Sequence, residues 1–292
     1  MAEGDTIFRA ARTLHRALAG RTVTRFESVF PRLTRIDHDA PLRGRTIDRV
    51  EARGKHLLIH FSGDLVLRTH MRMHGSWHIY RPGERWQRPR HQMRIVIETG
   101  VIDAVAFDVP VAEFASNAEL ARTPALRDLG PDLLASDFDV ADAVRRIEER
   151  REMPIADALL DQRAIAGIGN IYKSEALFVA RVHPFDAVNL LSRETIDKVV
   201  TTAAALMRTN VRESAPGGMT ARTTTRHADP SSRLWVYGRA GKPCRRCGSI
   251  IQRSKQGPEA RSTYWCGTCQ NPNPKTQNPN PKLQIPKSSS RL

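Results

Sequence analysis

LLDQRAIAGIGNIYKSEALF, residues 159–178, joins two apolar segments through a GIGN turn at 167–170. The apolar residues on either side predict two helices, and the two glycines let the backbone approach a neighbouring group closely. A new helix N-terminus also presents free N–H groups, which suit a phosphate. Asn170 can add a side-chain donor to such a site, and Lys173 lies one turn further on. The alternative is that the glycines serve only the packing of a helix hairpin.

The chain around this stretch has further helical patterns. Helices are predicted at 139–150, 154–162, 170–182 and 192–207. The last of them carries an apolar stripe at helical spacing, which indicates one buried face, formed by Ile196, Val199, Val200, Ala203 and Met207.

Three segments are predicted to lack regular structure. RDLGPDLL (127–134) indicates a turn between two domains, and residues 212–232, rich in Gly, Ser, Thr, Arg and Pro, predict a mobile loop. NPNPK occurs twice, at 271–275 and 278–282, in a tail with almost nothing apolar to bury. We expect this tail to be a disordered, passive extension. The alternative is that its basic residues add a weak attraction for phosphate.

The N-terminal part is predicted to be one amphipathic helix followed by strands. Residues 5–19 form the helix, with Asp5 or Thr6 as its cap. Short alternating runs then predict strands at 22–26, 56–61, 65–71, 76–80, 93–98 and 101–107. Closely spaced strands after one helix favour a β-sandwich or a barrel-like domain. Together with the helical second half, this pattern predicts the α+β class.

Composition and charge indicate a globular protein with a polyanionic partner. The chain has 292 residues, of which 40% are hydrophobic, and its 46 Lys and Arg against 31 Asp and Glu leave a formal charge of +15. Such an excess favours nucleic acid. The alternatives are a solvated basic surface, a ribosome-associated protein and a membrane-surface binder. No apolar run approaches the roughly 18 residues of a membrane span. The N-terminus lacks a signal-like pattern, so we expect a cytoplasmic location.

The four cysteines form the most specific motif of the sequence. Cys244-x2-Cys247 is followed, after 18 residues, by Cys266-x2-Cys269. Two such thiolate pairs complete a tetrahedral zinc shell, and four protein ligands leave no open position for a substrate water. One structural Zn²⁺ is therefore predicted, on an element made basic by its arginines and lysine. The alternative is four free thiols or a redox pair.

Four separated motifs together resemble the formamidopyrimidine-DNA glycosylase/endonuclease VIII family. MAEGDTI (1–7) resembles its MPEGDT or MPEGPE start, and RGKHLL (53–58) resembles its RGKxLL strand. The 159–178 stretch resembles its helix–two-turn–helix element. VYGRAGKPCRRCGSII (236–251) with RSTYWCGTCQ (261–270) is similar to its zinc hairpin. The motifs occur in the family's order from residue 1 to about residue 270.

The resemblance implies a DNA-repair enzyme with two activities. A damaged nucleotide is flipped out of the duplex, since its glycosidic carbon cannot be reached inside the stack. An N-terminal amine then attacks C1′, the base leaves, and β/δ-elimination cuts the strand at the abasic site. The implied division is a β-sandwich catalytic domain (1–125), a helical helix–two-turn–helix DNA-binding domain (126–232), a zinc-finger hairpin (233–270) and a disordered tail (271–292).

The resemblance also assigns the catalytic residues. The nucleophile would be the α-amine of Ala2 after removal of Met1, and Glu3 would shuttle protons on the opened sugar. Lys55 would be the acid or phosphate contact near C1′. Arg261, at the tip of the zinc hairpin, would hold the phosphates flanking the lesion or assist the second elimination. Without the resemblance, Glu3 is a surface or helix-start charge and Lys55 an exposed strand lysine.

DNA-binding residues are implied in two further places. Arg72 and Met73, between two strands, lie where the family inserts side chains into the gap left by the flipped base, a task that an unbranched apolar side chain suits. The alternative for Met73 is ordinary core packing. Asn170 would bind a phosphate beside the lesion, with Lys173 and Arg127 as additional DNA contacts.

Two positions depart from the family's pattern. Ala2 stands where the family has proline, so a primary amine replaces a secondary one. A primary amine still forms a Schiff base. The alternative is a catalytically weak protein that binds damaged DNA. In addition, residues 107–113 (FDVPVAE) lack the arginine and phenylalanine of the DPRRFG-like loop of the 8-oxoguanine branch. This favours the endonuclease VIII branch, with oxidised pyrimidines and abasic sites in double-stranded DNA as substrates, and a monomer is the simplest expectation.

Overall fold

The N-terminal part of the protein is a helix packed on a sandwich of two antiparallel sheets. The computed structural model describes residues 2–212, 222–225 and 232–271. The helices of this part are α1 (Gly4–Leu18) and α2 (Pro31–Asp39). The strands are β1 (Arg25–Ser28), β2 (Ile47–Arg53), β3 (His56–Phe61), β4 (Leu65–His70), β5 (Ser76–Tyr80), β6 (Met93–Glu98), β7 (Asp103–Phe107) and β8 (Val111–Ala115).

The two sheets have the orders β1-β6-β7-β5 and β2-β3-β4-β8, with antiparallel pairing throughout. Alternate residues of facing strands point inward and bury a common core. Ile59 and Leu67 contribute from one sheet, and Ile97 and Ala104 from the other. The apolar face of α1 closes the same core through Leu14.

The second part of the chain is helical. Its helices are α3 (Asn117–Arg122), α4 (Pro124–Arg127), α5 (Val140–Glu148), α6 (Ile155–Ala158), α7 (Asn170–Ala180) and α8 (Arg193–Arg212). Helix α7 lies in the centre of this part, with Tyr172 and Leu177 fully buried, and α8 packs against it with the stripe that its sequence predicts. The stripe residues Ile196, Val199, Val200, Ala203 and Met207 are all buried.

A two-stranded hairpin packs on the outer side of α7. Strands β9 (Ile251–Gln256) and β10 (Arg261–Cys266) pair antiparallel, and Ile251 joins Phe178 and Val236 in a small apolar cluster. Helix α1 contacts both β2 and α8, so the sandwich and the helical part meet along it. The first turn of α1 is therefore next to the start of α7.

The α+β prediction is confirmed, and the strands predicted at 56–61, 76–80 and 93–98 have their predicted limits. The helix predicted at 154–162 is wrong beyond Ala158. Asp161 accepts from the backbone N–H of Arg163 (3.0 Å), a local bond that competes with the helix. Strands β2 and β8 and helix α2 were not predicted, because none of them has a clean period.

The predicted cap of α1 is also wrong. The cap residue is Glu3, and Asp5 is fully buried beneath Arg222. The predicted mobile loop 212–232 falls largely, and the predicted tail after residue 271 entirely, outside the described residues. Within the described residues, no helix combines the length and apolarity that crossing a membrane requires.

Candidate active site

A cavity of about 660 Å³ opens where the sandwich, the start of α7 and the hairpin meet. Six separate segments of the chain supply its walls, at 2–3, 55–56, 68–73, 111, 160–170 and 259–261. The structure brings seven of the predicted site residues together there: Ala2, Glu3, Lys55, Arg72, Met73, Asn170 and Arg261.

The Glu3 carboxylate caps α7. Glu3 is fully buried, and its two oxygens accept the backbone N–H groups of Ile171 (2.8 Å) and Tyr172 (3.3 Å). A carboxylate at a helix N-terminus is stabilised by these unpaired donors and by the helix dipole. The surface-charge alternative for Glu3 is therefore excluded. The free N–H groups that the sequence assigned to a phosphate are occupied by the protein's own carboxylate.

The two glycines of the GIGN turn make this arrangement possible. A Cβ on Gly169 would lie 2.4 Å from the carboxyl carbon of Glu3. Gly167 has φ +93° and its carbonyl accepts the N–H of Gly4 (2.8 Å). A Cβ on Gly4 would in turn lie 2.9 Å from the Cα of Gly167. Because these glycines have no side chain, the N-terminal segment of the chain can pack directly against the GIGN turn. This close packing explains why glycine occurs at these positions.

Lys55 reaches the cavity from the turn between β2 and β3. The preceding Gly54 has φ +57°, and its N–H donates to the half-buried carboxylate of Asp132 (2.6 Å), which ties this turn to the helical part. Burial lowers the pKa of Lys55 to about 8, the nearby Glu3 charge opposes this change, and Arg261 adds to it. A lysine with this pKa exchanges its proton close to neutral pH, as an acid near C1′ requires.

The turn at 71–75, between β4 and β5, presents Arg72 and Met73. Met71 is 2% exposed and points into the sandwich core, whereas Met73 is 52% exposed. Arg72 has φ +47°, a left-handed conformation that costs a non-glycine residue about 1 kcal/mol or more. A Cβ on Gly75 would lie 2.6 Å from the carbonyl oxygen of Met71. The core-packing alternative for Met73 is therefore excluded.

Two histidines line the cavity and were missed from the sequence. His56 and His70 face each other across β3 and β4, with ring centroids 4.9 Å apart. Burial, together with neighbouring positive charges, lowers the pKa of His56 to about 3 and that of His70 to about 4, so both are neutral near pH 7. Arg68 donates to His56 Nδ1 (3.2 Å) and pairs with Glu113 (2.7 Å). The sequence signal that could have found these histidines was the two-residue alternation of side chains in the predicted strands HLLIHF and LVLRTH.

The hairpin brings Arg261 to the cavity next to Glu259, with which it forms an ion pair. Asn170 fixes the adjoining backbone, because its Nδ2 donates to the carbonyl of Ser262 (2.7 Å). The Oδ1 atom of Asn170 is buried and accepts no hydrogen bond from the residues that the structure describes. Asn170 is therefore committed to the hairpin through its donor group, and a phosphate contact by that group stays a prediction.

Two predicted DNA-binding residues lie outside the cavity. Lys173 is fully buried, and its Nζ donates to Thr263 Oγ1 (2.7 Å), so its predicted contact with DNA is wrong for this conformation. Lys173 lies on the side of α7 that packs against the hairpin, which its position in the sequence does not reveal. Arg127 lines a separate cavity of about 450 Å³ and pairs with Asp128 (2.7 Å). A DNA contact by Arg127 remains a prediction.

The four cysteines form one metal site. Their sulfurs lie within 4.8 Å of one another, and the Cys244–Cys269 and Cys247–Cys266 separations are 3.9 and 3.5 Å. Tetrahedral zinc with Zn–S bonds of about 2.3 Å separates its sulfurs by about 3.8 Å. The donor set and spacing therefore fit zinc, held by four thiolates at the base of the hairpin and away from the cavity.

Three family models match consecutive parts of the chain. Residues 1–108 match the formamidopyrimidine-DNA glycosylase N-terminal domain, and residues 129–222 match the formamidopyrimidine-DNA glycosylase H2TH domain. Residues 241–272 match the zinc finger found in FPG and IleRS. The zinc prediction is confirmed by this match and by the sulfur cluster.

Curated relatives and solved structures agree with these models. The chain is 42% identical to probable endonuclease 8 2 of Streptomyces coelicolor, covering 92% of this chain and 94% of the relative. It is 38% identical to the DNA-(apurinic or apyrimidinic site) lyase Nei2 of Mycolicibacterium smegmatis, covering 92% and 99%. A Lactococcus lactis Fpg in complex with DNA containing an abasic site has a TM-score of 0.78 at 25% identity, covering 92% and 100%. The chain therefore belongs to the formamidopyrimidine-DNA glycosylase/endonuclease VIII family.

Proposed function

We propose that this protein is a base-excision repair DNA glycosylase with abasic-site lyase activity. One observation carries the proposal: Ala2, Glu3, Lys55 and Arg261, which come from three distant parts of the sequence, line a single cavity. The names of the curated relatives, endonuclease 8 and DNA-(apurinic or apyrimidinic site) lyase, support the same activity.

The chemistry begins at the α-amine of Ala2, once Met1 is removed. Its reference pKa of about 7.7–8.0 leaves part of the amine neutral near pH 7. The nitrogen lone pair attacks C1′, the glycosidic bond breaks, and the base leaves with the bonding electrons and takes up a proton. The Glu3 carboxylate accepts a proton from the attacking amine and passes it to the ring oxygen, so the sugar ring opens as the Schiff base forms. Loss of a C2′ proton then expels the 3′ phosphate, and water releases the amine.

The neighbouring residues support binding and proton transfer. Lys55 in its charged form suits a phosphate oxygen or an acid role beside C1′, and Arg261 suits the phosphates flanking the lesion. Met73 and Arg72 protrude as a wedge that fills the gap left by the flipped nucleotide. The partner in this proposal is damaged double-stranded DNA, bound by a monomer in the cytoplasm. The division at residues 125, 232 and 270 is proposed with it, and the separate apolar clusters of the sandwich and of the helical part support the first of these boundaries.

Oxidised pyrimidines and abasic sites are the proposed substrates. The turn after β7 contains Asp108 and Val109 and lacks the arginine and phenylalanine of the 8-oxoguanine branch. The test compares excision of thymine glycol with that of 8-oxoguanine opposite cytosine, in duplexes of otherwise identical sequence. Faster release of 8-oxoguanine would overturn this preference without affecting the glycosylase assignment.

The second candidate function is damaged-DNA binding with weak catalysis, which the primary amine of Ala2 favours. Borohydride trapping on a duplex with one abasic site, followed by mass mapping of the cross-linked peptide, separates the two. A cross-link at the Ala2 α-amine is the expected result. Met1-free protein that binds the duplex and gives no cross-link would sink the Schiff-base mechanism and leave the binding function.

A further inference from the structure

The loop at 81–92, between β5 and β6, contains an arginine that differs from its neighbours. Gln87, Pro89 and Arg90 beside it are exposed, whereas the side chain of Arg88 is only 29% exposed. Arg88 points back toward the sandwich, with its guanidinium carbon 6.0 Å from the centroid of the Phe107 ring. Arg88 is therefore a cation of this loop that points toward the sandwich, whereas Arg90 beside it points to solvent.

Arg88 holds the far side of the 71–75 turn. Its Nη1 donates to the carbonyl of His74 (3.3 Å) and to Ser76 Oγ (3.0 Å). These two groups lie one and three residues after Met73 in the chain. A guanidinium presents several donors in a rigid plane, so one arginine can fix two points of a turn at once.

Asp108 holds Arg88 from the other side. The Nη2 of Arg88 lies 3.2 Å from Asp108 Oδ2, and Arg94 approaches the second oxygen at 3.7 Å. Asp108 is 23% exposed and begins the β7–β8 turn with φ +49°. This is the turn that lacks the arginine and phenylalanine of the 8-oxoguanine branch. Here it contributes a carboxylate that reaches the wedge turn only through Arg88.

We propose that Arg88, anchored by Asp108, is a positioning residue that holds the 71–75 turn so that Met73 can enter the duplex. The proposal rests on the wedge role of Met73 given above. Arg88 does not touch the reacting atoms, and its effect passes through the backbone at His74. It therefore acts on excision from paired DNA, where a gap must be filled, and not on the chemistry of the amine.

The test uses the full-length variants R88A, R88K, D108N and, as a matched loss of charge in the same loop, R90A. The Arg90 side chain is 77% exposed. Loss of charge-assisted hydrogen bonds predicts that R88A lowers excision of thymine glycol from duplex by about tenfold. D108N lowers it less, R88K restores part of the loss, and R90A changes it less than about twofold. Cleavage of an abasic site in single-stranded DNA stays at the parent rate in all four.

A double-mutant cycle with M73A shows whether Arg88 acts through the wedge. We expect R88A to have little further effect in the M73A background, and an undiminished effect would overturn the proposal. Deuterium exchange of the amides at 72–76 without DNA gives a reading that is independent of catalysis. Faster exchange in R88A than in R90A is expected, and equal exchange would overturn the positioning role. If M73A alone excises normally, the wedge assignment fails, and the exchange result still decides what Arg88 holds.

Discussion

The backbone nitrogen of Ala2 lies 3.3 Å from the carbonyl oxygen of Arg72 and donates to it. The residue proposed as the nucleophile is thus held by Arg72, whose side chain lines the same cavity. The N–H of Arg72 donates in turn to His70 Nδ1 (3.2 Å). The 71–75 turn therefore contacts Ala2 through the Arg72 carbonyl, whereas Arg88 holds the same stretch of chain at His74 and Ser76.

Replacing Arg72 with glycine separates these two roles. R72G keeps the carbonyl that holds Ala2, removes the side chain, and relieves the left-handed strain, so the melting temperature should not fall. We expect R72G to lose at least tenfold in excision from duplex, by analogy with the loss of a buried side-chain contact. Trapping on a single-stranded abasic site should stay within about threefold of the parent. A matching loss on single-stranded DNA would contradict the separation.

Gly169→Ala tests the contact between the GIGN turn and Glu3. The added Cβ would lie 2.4 Å from Glu3 Cδ, so either the helix start or the carboxylate must move. Overpacking of this kind costs about 1–3 kcal/mol. We expect a loss of trapping that exceeds the loss of stability. The control is Gly20→Ala, where φ is +77° and no atom lies within 4 Å: it should destabilise the fold and leave trapping per folded molecule unchanged.

Lys55 gives an alkaline limb to the pH profile of excision. Its pKa is lowered to about 8, so it is charged below that pH and neutral above it. A role as acid or phosphate contact requires the charge, and activity should fall as the pH rises above about 8. Since arginine keeps its charge, K55R should move this limb to higher pH, even at a lower rate. An unchanged limb in K55R would assign it to another group.

The same pKa predicts the pH dependence of stability. The folded value is below the unfolded value of about 10.4, so the unfolded chain binds more protons between these two pH values. The free energy of unfolding of the parent should therefore gain a rising contribution from about pH 8 to pH 10. K55M lacks it and should be more stable than the parent at pH 7, by a margin that shrinks over this window. Denaturant titrations at several pH values measure the margin.

Lys173→Met distinguishes a buried anchor from a DNA contact. A lysine that neutralises a phosphate contributes about 0.9 to the slope of log K against log salt concentration. Because Lys173 donates to Thr263 inside the protein, K173M should leave this slope unchanged. R261A, at the cavity surface, should reduce the slope by about one. A reduced slope in K173M would restore the DNA contact predicted from the sequence.

Removal of zinc should disable the site without unfolding the sandwich. The four thiolates close the base of the hairpin that carries Arg261, and the hairpin shares none of the sandwich core. We expect one zinc per chain by metal analysis and loss of metal in C247S. Duplex binding should drop with the metal, whereas the thermal transition of the sandwich should persist. Full binding by metal-free protein would make the hairpin dispensable.

Local patterns in the sequence predicted the zinc site, the helix after the GIGN turn and several strands, because ligand spacing and alternation depend on neighbouring residues. The contacts between distant segments were not predictable in this way. The anion at the start of α7 is Glu3, 168 residues away from Ile171 in the chain, and no local pattern distinguishes it from a bound phosphate.

Side-chain direction was the second obstacle. Lys173 was interpreted as a DNA contact because it lies one turn after the GIGN turn, but it is buried where β10 packs on α7. Met73 shows the opposite case, since alternation with the buried Met71 does not by itself say which of the two faces solvent. His56 and His70 were overlooked because His56 occupies the variable position of the RGKxLL motif and His70 belongs to no motif, although their strands were predicted.

The capping of α7 by Glu3 limits which segments can be exchanged between relatives and where a tag can be attached. Two halves that are exchanged between relatives must match at Gly4, Gly167 and Gly169, because an added Cβ at Gly4 or Gly169 would clash across the seam. A tag fused ahead of Ala2 would turn its amine into an amide and would have to leave through the cavity wall. These close contacts thus decide which segments can be exchanged, and a label ahead of Ala2 would block the proposed chemistry of its amine.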